Sequence, residues 1–442
     1  MQSRILPACA GIGIKEVNSQ DFVKLALQIT AMLAFAVLFG EIMRRFRQPA
    51  VVGEMLGGII LGPTIFGMLA PTLYAWLFES SASVSVVRDA SIKLGMLFFL
   101  FFAGSEVNLS DLKKLGKKAA LIGLVGTVVP ILIGVGLVYL IPKEFWGESV
   151  QRHFFSFALF IGMNLANSAN PVIARVLMDL GLLNGPIGTL IMTATIVDDL
   201  VNWTLFAIIL SDIAPSGAAS TAALPVNILL VAIFFAVILI VGRRLGPRAL
   251  HWARSYVTWP SGFIALTALL ILVAGSASEA LGIHAFLGAF LVGVALGGKN
   301  QEQKEAHDVI GHFVMSFFAP IYFISMGMTT DFIRNFDLTL VVLILVVACV
   351  SKIGAVLLGA KAAGMKLDLE AWAIGFGLNA RGATGIILAG VGLANKVIDD
   401  RIFVAIVVMA MVTSLMSGPA MNHLLARHRA LATFAKPNLK SR

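Results

Sequence analysis

The chain is poor in charge and in cysteine, and each shortage excludes a class of protein. Only 13% of its 442 residues are charged, whereas a soluble domain carries about 25%. The two cysteines, Cys9 and Cys349, lie far apart in sequence, so neither a disulfide framework nor a cysteine metal site is indicated. No motif of an enzyme that acts on a soluble substrate occurs. We therefore expect neither a soluble domain nor an enzyme, and we expect no cofactor.

Apolar residues and glycine are abundant instead. Hydrophobic residues make up 58% of the chain, and its 42 glycines suit closely packed and interrupted membrane helices. The net charge of +9 is compatible with a nucleic-acid partner, but basic cytoplasmic loops explain it better in a membrane protein. We predict a polytopic membrane protein that contacts the lipid bilayer and binds no nucleic acid.

The apolar residues fall into thirteen segments, here called spans one to thirteen, which are suited to a bilayer core of about 30 Å. The spans are residues 22–43, 49–69, 90–107, 119–141, 153–178, 186–211, 224–242, 260–277, 280–297, 311–328, 338–360, 369–394 and 402–425. The predicted fold is all-α, with about 13 transmembrane helices.

Lysine and arginine are distributed unequally between the loops. If the N-terminus lies outside, the inside loops carry about twice as many basic residues as the outside loops, as the positive-inside rule requires. We therefore predict a multi-pass protein of the inner (plasma) membrane, with an outer tail at 1–21, one membrane domain at 22–425 and a cytoplasmic tail at 426–442. An ordinary N-terminal tail is favoured over a signal peptide or a lipid-modified Cys9, because the apolar run there is short.

Two spans contain residues that interrupt a membrane helix. Span five includes MNLANSANPV (163–172), and span twelve includes GFGLNARGATG (375–385). Irregular backbone at membrane depth survives only where it lines a cavity or is buried in protein, and paired interruptions are typical of a transporter site. The side chains expected to line that site are Asn164, Asn167, Ser168, Asn170 and Asn379.

The two interrupted spans are seven apart in order, so they cross the membrane in opposite directions. The same offset relates span six to span thirteen. This layout predicts two inverted six-helix repeats with crossed discontinuous helices, connected by span seven. Two unrelated glycine kinks are the alternative interpretation.

Span six carries two adjacent acids, Asp198 and Asp199, between apolar or small residues. One carboxylate near the middle of a membrane helix costs about 2.5–3.5 kcal/mol on insertion scales. An ion or proton site is therefore favoured over two structural acids satisfied by neighbouring helices. Asp199 shares a helix face with Thr195 and Trp203, whereas Asp198 points elsewhere. We expect Asp199 and Thr195, with loop carbonyls, to be the metal ligands of a small hard monovalent cation, and a proton to compete for the Asp199 carboxylate.

Lys352 and Arg381 are basic residues within apolar spans. Lys352 needs a carboxylate partner or must lose its proton; Asp198 is the expected partner, and snorkelling to the inner interface is the alternative. Arg381 is expected to have a structural role, either neutralising the carbonyl ends of half-helices or pairing with a carboxylate. Glu54, near the start of span two, is expected to form a structural ion pair or to belong to a cytoplasmic funnel.

Five stretches resemble one known family. They are RFRQPAVVGEMLGGIILGPTIFG (45–67), LGMLFFLFFAGSEVNLSDLKKLGKKA (94–119), the Asp-Asp helix, GIHAFLGAFLVGVALG (282–297) and GLNARGATGIILAGVGL (377–393). In this order they look like the bacterial monovalent cation:proton antiporter-2 family, over about residues 22–425. The resemblance implies a sodium/proton-antiporter fold, a homodimer, and a core that moves against a dimer domain in elevator fashion.

The resemblance also assigns parts and roles. The dimer part would be about 22–107 and 260–328, the core about 119–211 and 338–425, and the linker helix about 224–242. Asp199 matches the family's ion-binding aspartate, Asp198 the preceding acid of members thought to be electrogenic, and Lys352 the lysine that pairs with that acid. Many relatives have Glu two positions after the arginine of span twelve. Here Ala383 occupies that position, which leaves the pairing of Arg381 open.

We therefore expect a secondary antiporter that exchanges a monovalent cation, Na⁺, for protons, electrogenically, with a role in sodium transport and pH homeostasis. K⁺/H⁺ exchange is the nearest alternative, because one sequence does not give the cage size and ligand number that set selectivity. The tandem acids argue against an organic-anion symporter on the same fold. An intramembrane aspartyl protease needs acids converging from two helices, and no GxGD stretch occurs.

Overall fold

A computed structural model describes residues 19–46, 48–79, 82–106, 116–147, 153–183, 185–213, 261–280, 285–296 and 301–434, with a few residues between 244 and 258. Within these residues the chain is helical and contains no strand. Seven of the described helices are long and apolar enough to cross a membrane. This part of the chain is therefore an all-α membrane protein, as predicted.

The described helices are numbered here in chain order. They are α1 (Ser19–Arg45), α2 (Ala50–Leu61), α3 (Phe66–Leu69), α4 (Pro71–Tyr74), α5 (Ala82–Glu106), α6 (Lys117–Leu140), α7 (Lys143–Trp146), α8 (Phe154–Ala166), α9 (Asn170–Asp179), α10 (Pro186–Ile213), α11 (Ser261–Ala280), α12 (Ala285–Leu296), α13 (Gln301–Phe313), α14 (Ala319–Met328), α15 (Leu338–Ala362), α16 (Leu369–Leu378), α17 (Ala383–Ala394) and α18 (Asp400–Phe434). Short π-helical stretches lie at Ala75–Glu79 and Val314–Phe318.

Several helices are longer than the predicted spans. The helix of span three begins at Ala82 rather than at residue 90, and the helical region of span ten begins at Gln301 rather than at 311. The helix of span thirteen extends to Phe434 rather than ending at 425. The predicted bounds follow the apolar residues, whereas backbone hydrogen bonding continues into polar sequence beyond them. The predicted linker helix at 224–242 lies outside the described residues.

Span two covers Ala50–Leu69, close to the predicted bounds, but it is interrupted: its first helix ends at Leu61 and the short α3 follows. Gly62 and Pro63 come directly after Leu61. Proline has no backbone N–H to donate, and its ring excludes the residue before it from the helical region. The single predicted helix is therefore two helical pieces.

Both predicted interruptions are present, and they contact each other. The first separates α8 from α9 at residues 167–169, and the second separates α16 from α17 at residues 379–382. The Ala169 N–H donates to the carbonyl of Ala380 over 2.9 Å. The Ser168 hydroxyl donates to the carbonyl of Leu378 over 2.7 Å. Each interruption thus supplies partners for backbone groups that the other leaves free. Whether the two halves are inverted repeats stays a prediction.

The helices pack in two groups. Helices α1, α2, α5 and α11–α14 pack mainly on one another, and so do α6, α8–α10 and α15–α18. The groups meet where α14 packs on α17, and where Trp203 of α10 stacks on Phe290 of α12. By residue range these groups are the implied dimer and core parts, whose roles and relative movement stay predictions.

Glycines bring helices of the first group into backbone contact. A Cβ added to Gly104 of α5 would collide with the carbonyl of Phe290, and one added to Gly293 of α12 would collide with the carbonyl of Phe101. Neither helix can therefore carry a larger residue at this crossing without moving apart. The contact presents Phe290 to the second group from a closely packed pair of helices.

Asp337 stabilises the start of α15 in the loop before it. Its carboxylate accepts from the Leu340 N–H over 3.1 Å and pairs with Arg401 at the start of α18. The Leu340 N–H and the Arg401 guanidinium hold the pKa of this carboxyl below its usual range. Because the folded-state pKa is lowered, the stabilisation is present above the ordinary carboxyl range and is lost as the pH falls through the folded-state value.

We expect Asp337→Ala to lower the unfolding free energy by about 1 kcal/mol at neutral pH, the usual worth of an N-cap. The loss should shrink on acidification, because the wild-type carboxylate becomes protonated. Thermal unfolding of the detergent-solubilised protein between pH 3 and pH 7 measures both effects. Asp368→Ala is the matched control, because Asp368 caps α16 in the same way but has no ion-pair partner among the described residues. Equal stability of Asp337→Ala and wild type at neutral pH would contradict the prediction.

Candidate functional site

Asp198 lies in an ion pair inside the second helix group. The side chain belongs to α10 and is only 1% exposed. Its Oδ1 is 3.1 Å from Nζ of Lys352 on α15 and accepts from the Thr127 hydroxyl of α6 over 2.6 Å. The pairing of Lys352 with Asp198 expected from the sequence is therefore confirmed, and Asp198 connects three helices.

Lys352 also binds the end of an interrupted helix. Its ammonium donates to the carbonyl of Ala166, the last residue of α8, and the side chain is only 2% exposed. Snorkelling to the membrane interface is thereby excluded. The last carbonyls of a helix carry partial negative charge and lack intrahelical partners, so the ammonium satisfies both a carboxylate and a helix end.

Asp199 lies beside the first interruption. The Asn170 side-chain amide, at the start of α9, donates to Oδ2 of Asp199, which is 6% exposed. One turn along α10, the Trp203 ring stacks on Phe290 of α12 with the ring centroids 4.4 Å apart. Asp199 is thus buried next to the first interruption, on a helix that contacts the other helix group through Trp203.

Thr195 is buried, but its hydroxyl donates to the carbonyl of Met192 in its own helix over 2.8 Å. This bond uses the proton and leaves lone pairs on the hydroxyl oxygen. The shared helix face with Asp199 therefore still permits both residues to contact one ion. Their role as metal ligands stays a prediction.

Arg381 neutralises carbonyl ends, as one of the two predicted alternatives states. Its guanidinium donates to the carbonyl of Leu165 near the end of α8 and to the carbonyl of Ala348 over 3.0 Å. It also donates to the carbonyl and to the side-chain oxygen of Asn379, at 3.2 and 2.6 Å. One buried cation thus serves the C-terminal ends of both half-helices. The absence of Glu at position 383 is compatible with this arrangement, since backbone carbonyls take the place of a carboxylate.

The polar side chains of the interruptions fall into two kinds. Ser168 and Asn379 bond across or within the crossing, and Asn164 donates to the carbonyl of Phe160 over 2.9 Å. A second set of buried atoms, at the interruptions and on α10, has no hydrogen-bond partner among the described residues. These atoms are Asp198 Oδ2, Asn164 Oδ1, Asn170 Oδ1, Arg381 Nε and both side-chain polar atoms of Asn167 and Asn202.

Buried polar atoms without partners are rare in folded proteins, and each costs about 1–3 kcal/mol. Here most are oxygens, and they belong to residues at or next to one helix crossing. Oxygen atoms are the ligands that hard cations prefer. The arrangement can therefore coordinate a small cation without a cluster of acids; the described residues contain no group of three His, Cys, Asp or Glu side chains suited to a metal.

Two residues at this site are absent from the sequence prediction. Thr127 donates to Asp198, and Asn202 is buried one turn beyond Asp198 on α10. A signal for Asn202 exists, because it lies four residues after Asp198 and therefore on the same helix face. Thr127 has no such signal, since a single hydroxyl in an apolar run commonly bonds its own helix, as Thr127 also does to Gly123.

The sequence predicts a structural ion pair or a place in a cytoplasmic funnel for Glu54. Glu54 is buried in α2 with Oε2 unpartnered among the described residues. Its side chain packs against Gly40 of α1: a Cβ added to this glycine would lie 3.7 Å from Oε1 of Glu54. No described ion pair involves Glu54, so a salt bridge is not its observed state.

Comparison with known proteins gives one family. The family model described as "Sodium/hydrogen exchanger, transmembrane" matches residues 31–427. Cation/H(+) antiporter 19 of Arabidopsis thaliana is 31% identical over 405 residues, 89% of this chain and 48% of the relative. Na(+)/H(+) antiporter NhaS4 of Synechocystis sp. is 29% identical over 408 residues, 91% of this chain and 97% of the relative. A yeast protein named K(+)/H(+) antiporter 1 also matches.

The chain spans 48% of the length of the first plant relatives, so it corresponds to about half of those proteins. Among solved structures, the sodium proton antiporter MjNhaP1 from Methanocaldococcus jannaschii at pH 8 aligns with a TM-score of 0.66. The alignment covers 92% of this chain and 99% of that one at 15% identity. At this identity the likeness shows the fold alone.

Proposed function

Because this chain belongs to the sodium/hydrogen exchanger family of membrane antiporters, we propose that it exchanges Na⁺ for protons as a secondary antiporter. The observation that carries the proposal is the buried Asp199, which accepts from Asn170 at one of two helix interruptions that contact each other. Oxygens of Asn167 and Asn170 at that interruption, and of Asn202 on the same helix as Asp199, have no partner among the described residues. A carboxylate in such a place is neutralised either by a proton or by a cation.

Competition for one carboxylate is the minimum requirement for exchange. When Na⁺ binds Asp199 it displaces the proton, and when the proton returns it displaces Na⁺. The amide of Asn170 orients the carboxylate, and Thr195 is the second proposed ligand. The ion is the substrate and not a resident cofactor, and no covalent step is involved.

The ion pair of Asp198 with Lys352 supports an electrogenic cycle. It lies on the next residue of α10, so cation binding at Asp199 changes the electrostatic field at the pair. We propose that the pair loosens when Na⁺ arrives and that Lys352 or Asp198 releases a second proton. Two protons for one Na⁺ would move net charge across the membrane.

The cycle requires alternate access from the two sides of the membrane. We propose that the second helix group carries the ion and moves against the first, which would form a homodimer. The N-terminus would be outside and the C-terminus cytoplasmic in the plasma membrane. The packing of each group mainly on itself supports this division.

K⁺/H⁺ exchange is the second candidate, and one observation favours it: a matching relative is named a K(+)/H(+) antiporter. Both cations fit an oxygen site, and their selection depends on ligand number and site size. An organic-anion symporter on this fold is less favoured, because an anion would meet two buried acids.

Proteoliposomes with an internal pH dye separate these candidates. We expect addition of Na⁺, and more weakly Li⁺, to drive proton movement, whereas K⁺ and taurocholate should have little effect. Protein-free liposomes and the Asp199→Asn variant are the controls. A response to K⁺ but not to Na⁺ would replace the Na⁺ assignment, and a response to none of the cations would overturn the antiporter proposal.

A further inference from the structure

Asn202 is a buried amide on the helix that carries the two acids of the candidate site. It lies on α10, three residues after Asp199 and four after Asp198, and is 2% exposed. Residues at these spacings are neighbours on a helix surface. Neither Nδ2 nor Oδ1 has a hydrogen-bond partner among the described residues.

Packing does not account for an asparagine at this position. A leucine has nearly the same shape and would occupy apolar surroundings without an unpaired donor and acceptor. Asn164 and Asn170 differ in this respect, because each amide donates a hydrogen bond, to Phe160 and to Asp199 respectively. The Asn202 amide is therefore suited to a group that is not part of the polypeptide.

The two unpartnered atoms indicate the chemistry of that group. Oδ1 is an acceptor and a good ligand for a hard cation, whereas the Nδ2 protons are donors and repel one. A bare cation would satisfy only the oxygen. A cation that keeps one water satisfies both atoms, since Oδ1 contacts the ion and Nδ2 donates to the water oxygen.

We propose that Asn202 is a further ligand of the transported cation: Oδ1 coordinates the ion beside the Asp199 carboxylate, and Nδ2 holds a water of its shell. This assignment rests on the proposed exchange function and makes Asn202 a determinant of cation affinity and selectivity.

A neutral amide oxygen has a specific use beside a carboxylate. It adds coordination without a second negative charge, so it strengthens cation binding without creating another proton acceptor. Removal of the Asn202 amide should therefore weaken cation binding more than proton binding. Loss of a merely structural residue would instead affect folding and the binding of both ions together.

The test compares Asn202→Leu and Asn202→Ser with wild type in Na⁺ titrations of proteoliposome exchange and in calorimetric Na⁺ binding to the purified protein. We expect Asn202→Leu to raise the apparent KM for Na⁺ about tenfold, equivalent to about 1.4 kcal/mol. The pH dependence of the maximal rate should stay unchanged. Asn202→Ser keeps an oxygen and should recover part of the affinity. The Na⁺/K⁺ ratio of apparent KM values should change in Asn202→Leu.

Gln28→Leu is the matched control, because Gln28 is also a buried amide with one unpartnered atom but lies on α1 in the other helix group. It should leave Na⁺ binding unchanged. If Asn202→Leu does not fold, Asn202→Ser carries the test, with a smaller expected rise in KM. Wild-type Na⁺ affinity in both Asn202 variants would overturn the assignment while leaving the antiporter proposal intact. Absence of any cation binding or exchange by wild type would overturn both.

Discussion

Asp199→Asn is expected to abolish cation-driven proton movement in proteoliposomes. The amide keeps the size of the side chain and part of its hydrogen bonding, but it neither takes up a proton nor carries charge for a cation. A charge-assisted contact is worth up to about 3 kcal/mol, and every 1.4 kcal/mol is tenfold, so loss of this contact alone lowers cation affinity by up to about 100-fold. The adjacent Asp198 is not expected to take over the role of Asp199, because its carboxylate is already paired with Lys352.

Two controls define the meaning of that loss. Asp400→Asn removes an exposed acid at the start of α18 and should leave exchange at the wild-type rate. Asp199→Glu keeps a titrating carboxylate and should retain measurable exchange with altered cation affinity. Exchange by Asp199→Asn at the wild-type rate would remove Asp199 from the mechanism.

Lys352→Met is expected to cause the largest loss of stability. It leaves the Asp198 carboxylate buried without its cation and the Ala166 carbonyl without its donor. Breaking a buried ion pair from one side costs about 3–5 kcal/mol. The double variant with Asp198→Asn removes both charges, so we expect most of the lost stability to return.

Thermal unfolding in detergent of wild type, Lys352→Met, Asp198→Asn and the double variant measures the coupling between the two residues. Simple additivity of the two single effects would show that the residues do not interact. Exchange recorded under an applied membrane potential adds a second readout. In the proposed cycle Lys352→Met reduces the dependence of the rate on voltage, and full voltage dependence would make Lys352 dispensable for charge coupling.

Much of the fold follows from the sequence because membrane helices are set by long apolar stretches and by the residues that interrupt them. The interruptions at 167–169 and 379–382 lie within the predicted stretches, since clustered asparagines and glycines cannot continue a helix in lipid without other partners. The helix ends are less predictable. Ala82 and Gln301 begin helices in polar sequence, where apolar periodicity gives no signal.

The site was predictable where charge leaves few choices. A lysine in an apolar helix needs a carboxylate partner. Because Asp199 is the expected ion-binding acid, Asp198 is the remaining candidate in span six, so the pair could be expected. Thr127 could not, because its contact with Asp198 depends on how α6 crosses α10 and not on any local pattern. Which amides remain unpartnered, as at Asn202, likewise depends on packing between helices far apart in sequence.

Arg381 and Lys352 serve adjacent carbonyls of the same half-helix, at Leu165 and Ala166. A guanidinium stays protonated under all conditions that a cell meets, whereas an ammonium can give up its proton. The crossing therefore combines one permanent positive charge with one that can be surrendered. In the proposed cycle Arg381 therefore keeps the crossing in place, while Lys352 alternates between its charged and neutral forms.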